Sequence, residues 1–241
     1  MLISFSKKFI FIHIYKVAGT SVRDALKPFS YDPRKELLNR IYNKLMRTIY
    51  ANHKNKILLD RSGISKFPLT YKDAGAYLHA RAYEIEKINP EILNNFYTFA
   101  FVRNPWDWQV SLYHYILQNN NHFQHKKIKK IANFKDYIKF RIENGVTYQT
   151  DFLLNQNGEL AVDYRLETIE QDFNWLCQKL SLNASLPYKR QSQHKNYLEL
   201  YDEESKQLVE DAFQKDIQLL GYYFNSYDKK PVHEIIQNNL K

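Results

Sequence analysis

The stretch Phe9-Ile10-Phe11-Ile12-His13-Ile14-Tyr15-Lys16-Val17-Ala18-Gly19-Thr20-Ser21-Val22 decides the fold. Its first six residues are short, continuous and rich in β-formers, which predicts a strand buried on both faces. A loop with a single glycine follows, and a short helix is expected from Ser21 to about Leu26. A turn between a buried strand and a helix is the geometry in which backbone N–H groups and the helix dipole hold a phosphate. Gly19 lets the backbone come close to such a group. Thr20 and Ser21 add hydroxyl donors, and Lys16 supplies a mobile point charge. An ordinary strand-turn-helix with a capping Thr or Ser fits the same residues.

A second stretch has the same order. Phe96 to Val102 reads as a strand, and Arg103-Asn104-Pro105-Trp106-Asp107 reads as a compact helix start. Asn104 suits the cap, Pro105 the first helical position, and Asp107 the positive helix end. Trp106, Val110, Tyr113 and Leu117 then fall on one face. Arg103 at the strand end and Ser111 about two turns into the helix can grip one phosphate between them. Arg103 can equally pair with a nearby carboxylate.

Outward from these two turns, helices are expected around Leu37 to Ile49, over Ala80 to Ile88, over Gln171 to Leu180, and over Glu203 to Leu220. The last carries Asp202 as cap and Gly221 as stop. Tyr164 to Ile169 reads as a third strand. The order predicts an α/β protein: one parallel sheet with helices on both faces, in a single domain over 1–241. Residues 27–76 read as a variable insertion and 225–241 as a tail.

Composition narrows the class. The chain of 241 residues carries 35 Lys and Arg against 26 Asp and Glu, a formal charge of +9. Apolar residues make up 44%, enough for a substantial core and too many for intrinsic disorder. The one cysteine, Cys177, excludes an internal disulfide and a multi-cysteine zinc site. No apolar run approaches the roughly 20 residues of a spanning helix, and the start lacks a small-residue cleavage site. These features lead us to expect a soluble cytoplasmic protein. The run Lys126-Lys127-Ile128-Lys129-Lys130 resembles a nucleic-acid patch by composition. The recurrence of Ile128, Ile131, Phe134, Ile138 and Ile142 at helical spacing favours a solvated helix face.

Together, the two motifs resemble a known family. Lys16-Val17-Ala18-Gly19-Thr20-Ser21 is similar to the 5′-phosphosulfate loop of sulfotransferases, and Arg103 with Ser111 to their 3′-phosphate motif. The stretch Arg-Asn-Pro-Trp-Asp with Ser-Leu-Tyr is most similar to carbohydrate sulfotransferases related to the heparan 2-O- and chondroitin enzymes, and to their bacterial homologues. Leu186-Pro187-Tyr188, Tyr201-Asp202-Glu203-Glu204, Asp216-Ile217 and Gly221-Tyr222 resemble the family's closing segment. The likeness spans roughly 9–26 and 77–224. Tyr15 stands in place of the family's usual proline. Trp108 and Gln109 replace a basic and an aliphatic residue, at positions expected to be peripheral to phosphate chemistry.

The resemblance implies a P-loop-like fold and transfer of a sulfuryl group from 3′-phosphoadenosine 5′-phosphosulfate to a carbohydrate hydroxyl, without a metal. It implies nucleotide binding by Lys16, Ala18, Gly19, Thr20, Ser21, Arg103 and Ser111, and by Arg190 in the basic loop Lys189 to Lys195. Lys16 would stabilise the leaving phosphate. His79, at a helix start 24 residues before Arg103, resembles the histidine base of the 2-O-type branch; His114 is the alternative base. His13 reads as a core or edge residue, and His122, His125, His194 and His233 as exposed. Two other classes stay open. A P-loop small-molecule kinase would need G-x-x-x-x-G-K-[ST] and a magnesium carboxylate, whereas here the lysine precedes the glycine. A non-catalytic binder of nucleic acid or anionic glycan would draw on the charge and on Lys126 to Lys130.

Overall fold

A computed structural model of the protein describes residues 1–30, 79–88, 90–166, 169–187 and 196–227, with short pieces at 37, 41, 44–45, 58–59 and 68–69. The strands are β1 (Leu2–Ser4), β2 (Phe9–Ile12), β3 (Leu58–Leu59), β4 (Pro68–Leu69), β5 (Tyr97–Val102), β6 (Asp163–Leu166), β7 (Tyr222–Tyr223) and β8 (Ser226–Tyr227). We label the helices α1 (Gly19–Leu26), α2 (Ala82–Ile88), α3 (Pro90–Asn95), α4 (Pro105–Gln118), α5 (His125–Ile128), α6 (Phe134–Glu143), α7 (Ile169–Lys179), α8 (Glu203–Ala212) and α9 (Gln214–Leu220).

The architecture is α/β. One sheet has the order β1-β2-β5-β6, with β2, β5 and β6 parallel and β1 antiparallel at the edge. All four residues of β2 are fully buried, as the unbroken apolar run predicts for a central strand. Because β2 and β5 run parallel in the register Ile12↔Ala100, their carboxyl ends lie side by side. The turns that follow them, 13–18 and 103–104, therefore open at the same end of the sheet.

Helix α4 begins as expected. The Asn104 side chain accepts from the Trp106 N–H at 3.0 Å, and Pro105 takes the first position, where a missing N–H costs nothing. Trp106 and Val110 are buried, with Tyr113 and Leu117 packed beside them. Helix α8 starts on a capping box, Asp202 with Ser205, and α9 stops at Gly221 in the left-handed region.

Several expectations are corrected. Ile169 opens α7 rather than closing a strand. The helix expected over 203–220 breaks at Phe213 (φ −111°, ψ 20°), a fully buried ring wedged between Trp108 and Tyr148. The break places Asp216, also fully buried, against the backbone of Gln149 and Thr150. The lysine-rich stretch is not one helix: α5 and α6 are separate, with Ile128, Phe134 and Ile138 buried and the four lysines exposed. His125 is buried and its Nδ1 lies 2.8 Å from the Ile116 carbonyl, so it is not a surface residue. Leu37, Ile41, Lys44 and Leu45 are helical and exposed; the rest of that expected helix lies outside the described residues. No helix among the described residues is long and apolar enough to cross a membrane.

Candidate functional site

The turn after β2 is built on strained backbone. Lys16 (φ 63°) and Ala18 (φ 57°, ψ 11°) both adopt the left-handed conformation without being glycine. Each costs roughly 1–2 kcal/mol. Left-handed residues so closely spaced turn backbone N–H groups toward one side, the arrangement that makes anion-binding concavities. The N–H groups of Ser21 and Val22 close on the Ala18 carbonyl at 3.0 and 3.3 Å. Those of Gly19 and Thr20 stand at the helix entrance, beyond reach of any carbonyl of the helix. Ala18 and Thr20 are exposed there and Ser21 is half-buried.

Gly19 does not have a positive φ; its smallness answers a neighbour. A Cβ at position 19 would sit 1.9 Å from Cδ2 and 2.1 Å from Nε2 of His13. His13 follows β2, is buried, and is held neutral, its pKa lowered by burial to about 3.

The second motif grips the first. The Arg103 guanidinium donates to the Lys16 carbonyl at 3.2 Å, and the Trp108 indole N–H donates to the Tyr15 carbonyl at 2.8 Å. Two consecutive carbonyls of the strained turn are thus held, one from the turn before α4 and one from α4 itself. Trp108, read from the sequence as peripheral, is fully buried and lies against the Tyr15 ring, centroids 5.0 Å apart. Arg103 also takes the carboxylate partner that its surroundings allowed: its Nε bonds Asp107 at 2.6 Å. Ser111 is buried one helical turn beyond Asp107.

Lys16 is half-buried, its ammonium 4.3 Å from the centre of the Tyr115 ring. Burial, and then the Arg103 charge, lowers its pKa. Two cations therefore share the mouth of the turn with one carboxylate, which draws anions in.

His79 also reaches this place. It lies in a turn before α2, half-buried, its Nδ1 2.7 Å from the His13 carbonyl and its ring 4.7 Å from the His13 ring. A carbonyl only accepts, so Nδ1 carries the proton and Nε2 keeps a free lone pair. Burial lowers the His79 pKa, opposed by that bond. His114 instead packs against Tyr113 on α4, ring centroids 5.5 Å apart. Arg190, Lys189 and Lys195 lie outside the described residues, as do His194 and His233.

Sequence reasoning missed the support behind Arg103. The Gln149 amide clamps the Arg103 peptide from both sides, accepting from its N–H at 2.9 Å and donating to its carbonyl at 2.7 Å. Asp216 then accepts from the Gln149 and Thr150 N–H groups and the Thr150 hydroxyl, at 2.8, 2.9 and 2.7 Å. No local pattern signals what either residue does, because the contacts cross 46 and 67 positions; Asp216 stands out only within the closing segment's resemblance. Among the described residues no group of three or more His, Cys, Asp or Glu side chains is placed to hold a metal ion.

Fold and site together define an α/β protein with two cationic side chains converging on left-handed backbone at parallel strand ends. No protein-family model, curated protein or solved structure matches the chain.

Proposed function

We propose that the protein is a sulfotransferase, a single P-loop-like domain over 1–241 that moves a sulfuryl group from 3′-phosphoadenosine 5′-phosphosulfate to a hydroxyl of a carbohydrate acceptor. One observation carries the reading: Arg103 reaches across 87 positions to the Lys16 carbonyl, so the two motifs form one site. The donor's chemistry fits what they offer. The turn 15–21 presents backbone N–H groups and the Lys16 ammonium to the 5′-phosphosulfate. Arg103 and Ser111 serve the 3′-phosphate, with Arg190 as a further contact.

In the transfer step the acceptor oxygen attacks sulfur in line as the bond from sulfur to the 5′-phosphate oxygen breaks. The acceptor proton passes to Nε2 of His79, the nitrogen that the His13 carbonyl leaves unprotonated. The negative charge gathering on the departing phosphate is met by Lys16 and the backbone N–H groups. His79 is favoured over His114 as base because it touches the turn that bears Lys16.

Titration calorimetry with 3′-phosphoadenosine 5′-phosphate tests the reading. Micromolar binding, the same with and without magnesium, is expected. Arg103→Ala should weaken it roughly 10- to 100-fold, the worth of charge-assisted bonds to one phosphate. Adenosine 5′-phosphosulfate, which lacks the 3′-phosphate, should lose proportionally less in the variant, since for it only the hold of Arg103 on the Lys16 carbonyl is gone. An equal proportional loss for both nucleotides would reject the 3′-phosphate assignment. Magnesium-dependent binding would point to a kinase, and binding without sulfate transfer to any glycan acceptor would point to a non-catalytic binder.

A further inference from the structure

His13 is an unusual core residue. It lies one position past β2 and is buried, yet among the described residues no hydrogen-bond partner reaches its ring nitrogen Nδ1. A leucine or valine would fill such a place without an orphaned polar atom, which costs about 1–3 kcal/mol. What the flat ring does is visible in its neighbours. Its Cδ2–Nε2 edge occupies the space a side chain at position 19 would need. The Phe11 ring stacks on it at 5.9 Å, and the His79 ring lies against it at 4.7 Å. Its own carbonyl accepts a hydrogen bond from the His79 Nδ1–H. The same residue thus touches the turn on one edge and His79 twice, through ring and backbone.

We propose that His13 is a positioning residue: its ring, seated in the notch left by Gly19, ties the strained turn to the His79 imidazole so that loop and base hold one relative placement. Its meaning for catalysis rests on the sulfotransferase reading; its structural part does not. Gly19 is then a glycine for the sake of His13, not for a ligand or for a positive φ. A flat ring suits the task because it presents a thin edge to Gly19 while the tilted His79 ring still comes within 4.7 Å of its centre. Ring burial keeps it uncharged, so it does not repel a proton arriving on His79.

Three variants test the coupling: Gly19→Ala, His13→Ala, and the two combined. Each is assayed for binding of 3′-phosphoadenosine 5′-phosphate, for sulfate transfer, and for the NMR titration of the His79 ring. Gly19→Ala should displace the His13 ring and weaken nucleotide binding at least tenfold. Adding His13→Ala removes the clash, and binding should return to within about threefold of the wild type. Turnover of the double variant should stay at least tenfold low, as in His13→Ala alone, with KM for the nucleotide little changed. In both variants lacking the ring, water reaches His79 and its pKa should rise toward the ordinary value. The Met1 amine and Arg23, which act on both histidines, are common to all samples and leave the comparison intact.

The proposal is overturned if the double variant binds nucleotide no better than Gly19→Ala, or if His79 titrates identically with and without the His13 ring. Should His13→Ala not fold, His13→Leu fills the core without a flat ring and serves in its place, alone and with Gly19→Ala. The titration needs no substrate. A wild type that transfers no sulfate would therefore sink the functional reading while the coupling of His13 to His79 is still decided.

Discussion

Two strand-to-helix turns meet at the site, and they are built in opposite ways. After β5 every local group is settled: Asn104 caps α4, Asp107 pairs with Arg103, and Gln149 clamps the Arg103 peptide. After β2 the cap position is Ala18, with no side-chain cap, and two residues sit in the left-handed region. The second turn is an anchor and the first is strained, with no side chain capping its helix. Strain of this kind persists only where the surroundings enforce it, and it gathers at functional sites. Here the enforcement is visible as the two bonds from Arg103 and Trp108 to the carbonyls of Lys16 and Tyr15.

The contrast breaks most sharply at Lys16. Lys16→Ala removes the only lysine of the strained turn and leaves the anchor turn untouched. Turnover should fall roughly 100- to 1,000-fold, the worth of one donor aimed at developing charge. Thermal stability should change little, because the ammonium lies against the Tyr115 ring and takes no carboxylate partner among the described residues. Near-wild-type turnover would remove Lys16 from the chemistry.

The contrast also explains what could be read in advance. The anchor turn was legible because its signals are local: Asn, Pro and Asp each state a preference within four positions, and the structure honours all three. The buried strand β2 was legible from its unbroken apolar run. The left-handed residues were not, because neither Lys16 nor Ala18 announces a positive φ and the nearby glycine serves another purpose. Gln149, Asp216 and the break at Phe213 depend on one another across the fold. Periodicity carried the helix straight through Phe213, since Leu208, Val209, Ala212, Ile217 and Leu220 keep helical spacing on both sides. Arg103 could be singled out by its place at a strand end and His79 by resemblance, whereas Trp108, read as peripheral, holds the Tyr15 carbonyl of the turn.

Acid should act on the two turns with opposite sign. His13, beside the strained turn, has its pKa lowered to about 3, so the unfolded chain takes up a proton before the folded one does. Its contribution is fully present above about pH 6.5 and is lost as the pH falls toward 3, by up to about 1.4 kcal/mol per pH unit. Asp216, behind the anchor turn, is pushed up to about 6 by burial despite its three hydrogen bonds. The folded chain then holds the proton more tightly, so this contribution is lost as the pH rises from about 4 to 6. Denaturant melts of wild type and His13→Leu between pH 6.5 and 4.5 should show the variant losing about 2 kcal/mol less over that interval. Asp216→Asn should change the slope the other way. Parallel curves for all three proteins would mean that neither group titrates with folding.

The smallest effect separates the turns at the level of backbone alone. Ala18 pays for its left-handed conformation, roughly 1–2 kcal/mol, and glycine adopts the same angles freely. Against that gain stands the extra entropy glycine loses on folding, about 0.5–1 kcal/mol. Ala18→Gly should therefore stabilise the protein slightly, by about 0.5–1 kcal/mol, although it introduces glycine at a helix entrance. The side chain is exposed, so little packing is lost with the methyl group. At the anchor turn glycine should do the reverse. Asn104 has φ −48°, which needs no glycine, and its side chain bonds both the Trp106 N–H and the Tyr223 carbonyl. Asn104→Gly should destabilise by about 1–2 kcal/mol, since a cap is lost and the Tyr223 carbonyl loses its donor. Chemical denaturation of the two variants decides the matter. If Ala18→Gly destabilises as much as Asn104→Gly, the turn after β2 is not under strain. The Gly19 and Thr20 N–H groups would then belong to the ordinary start of a short helix.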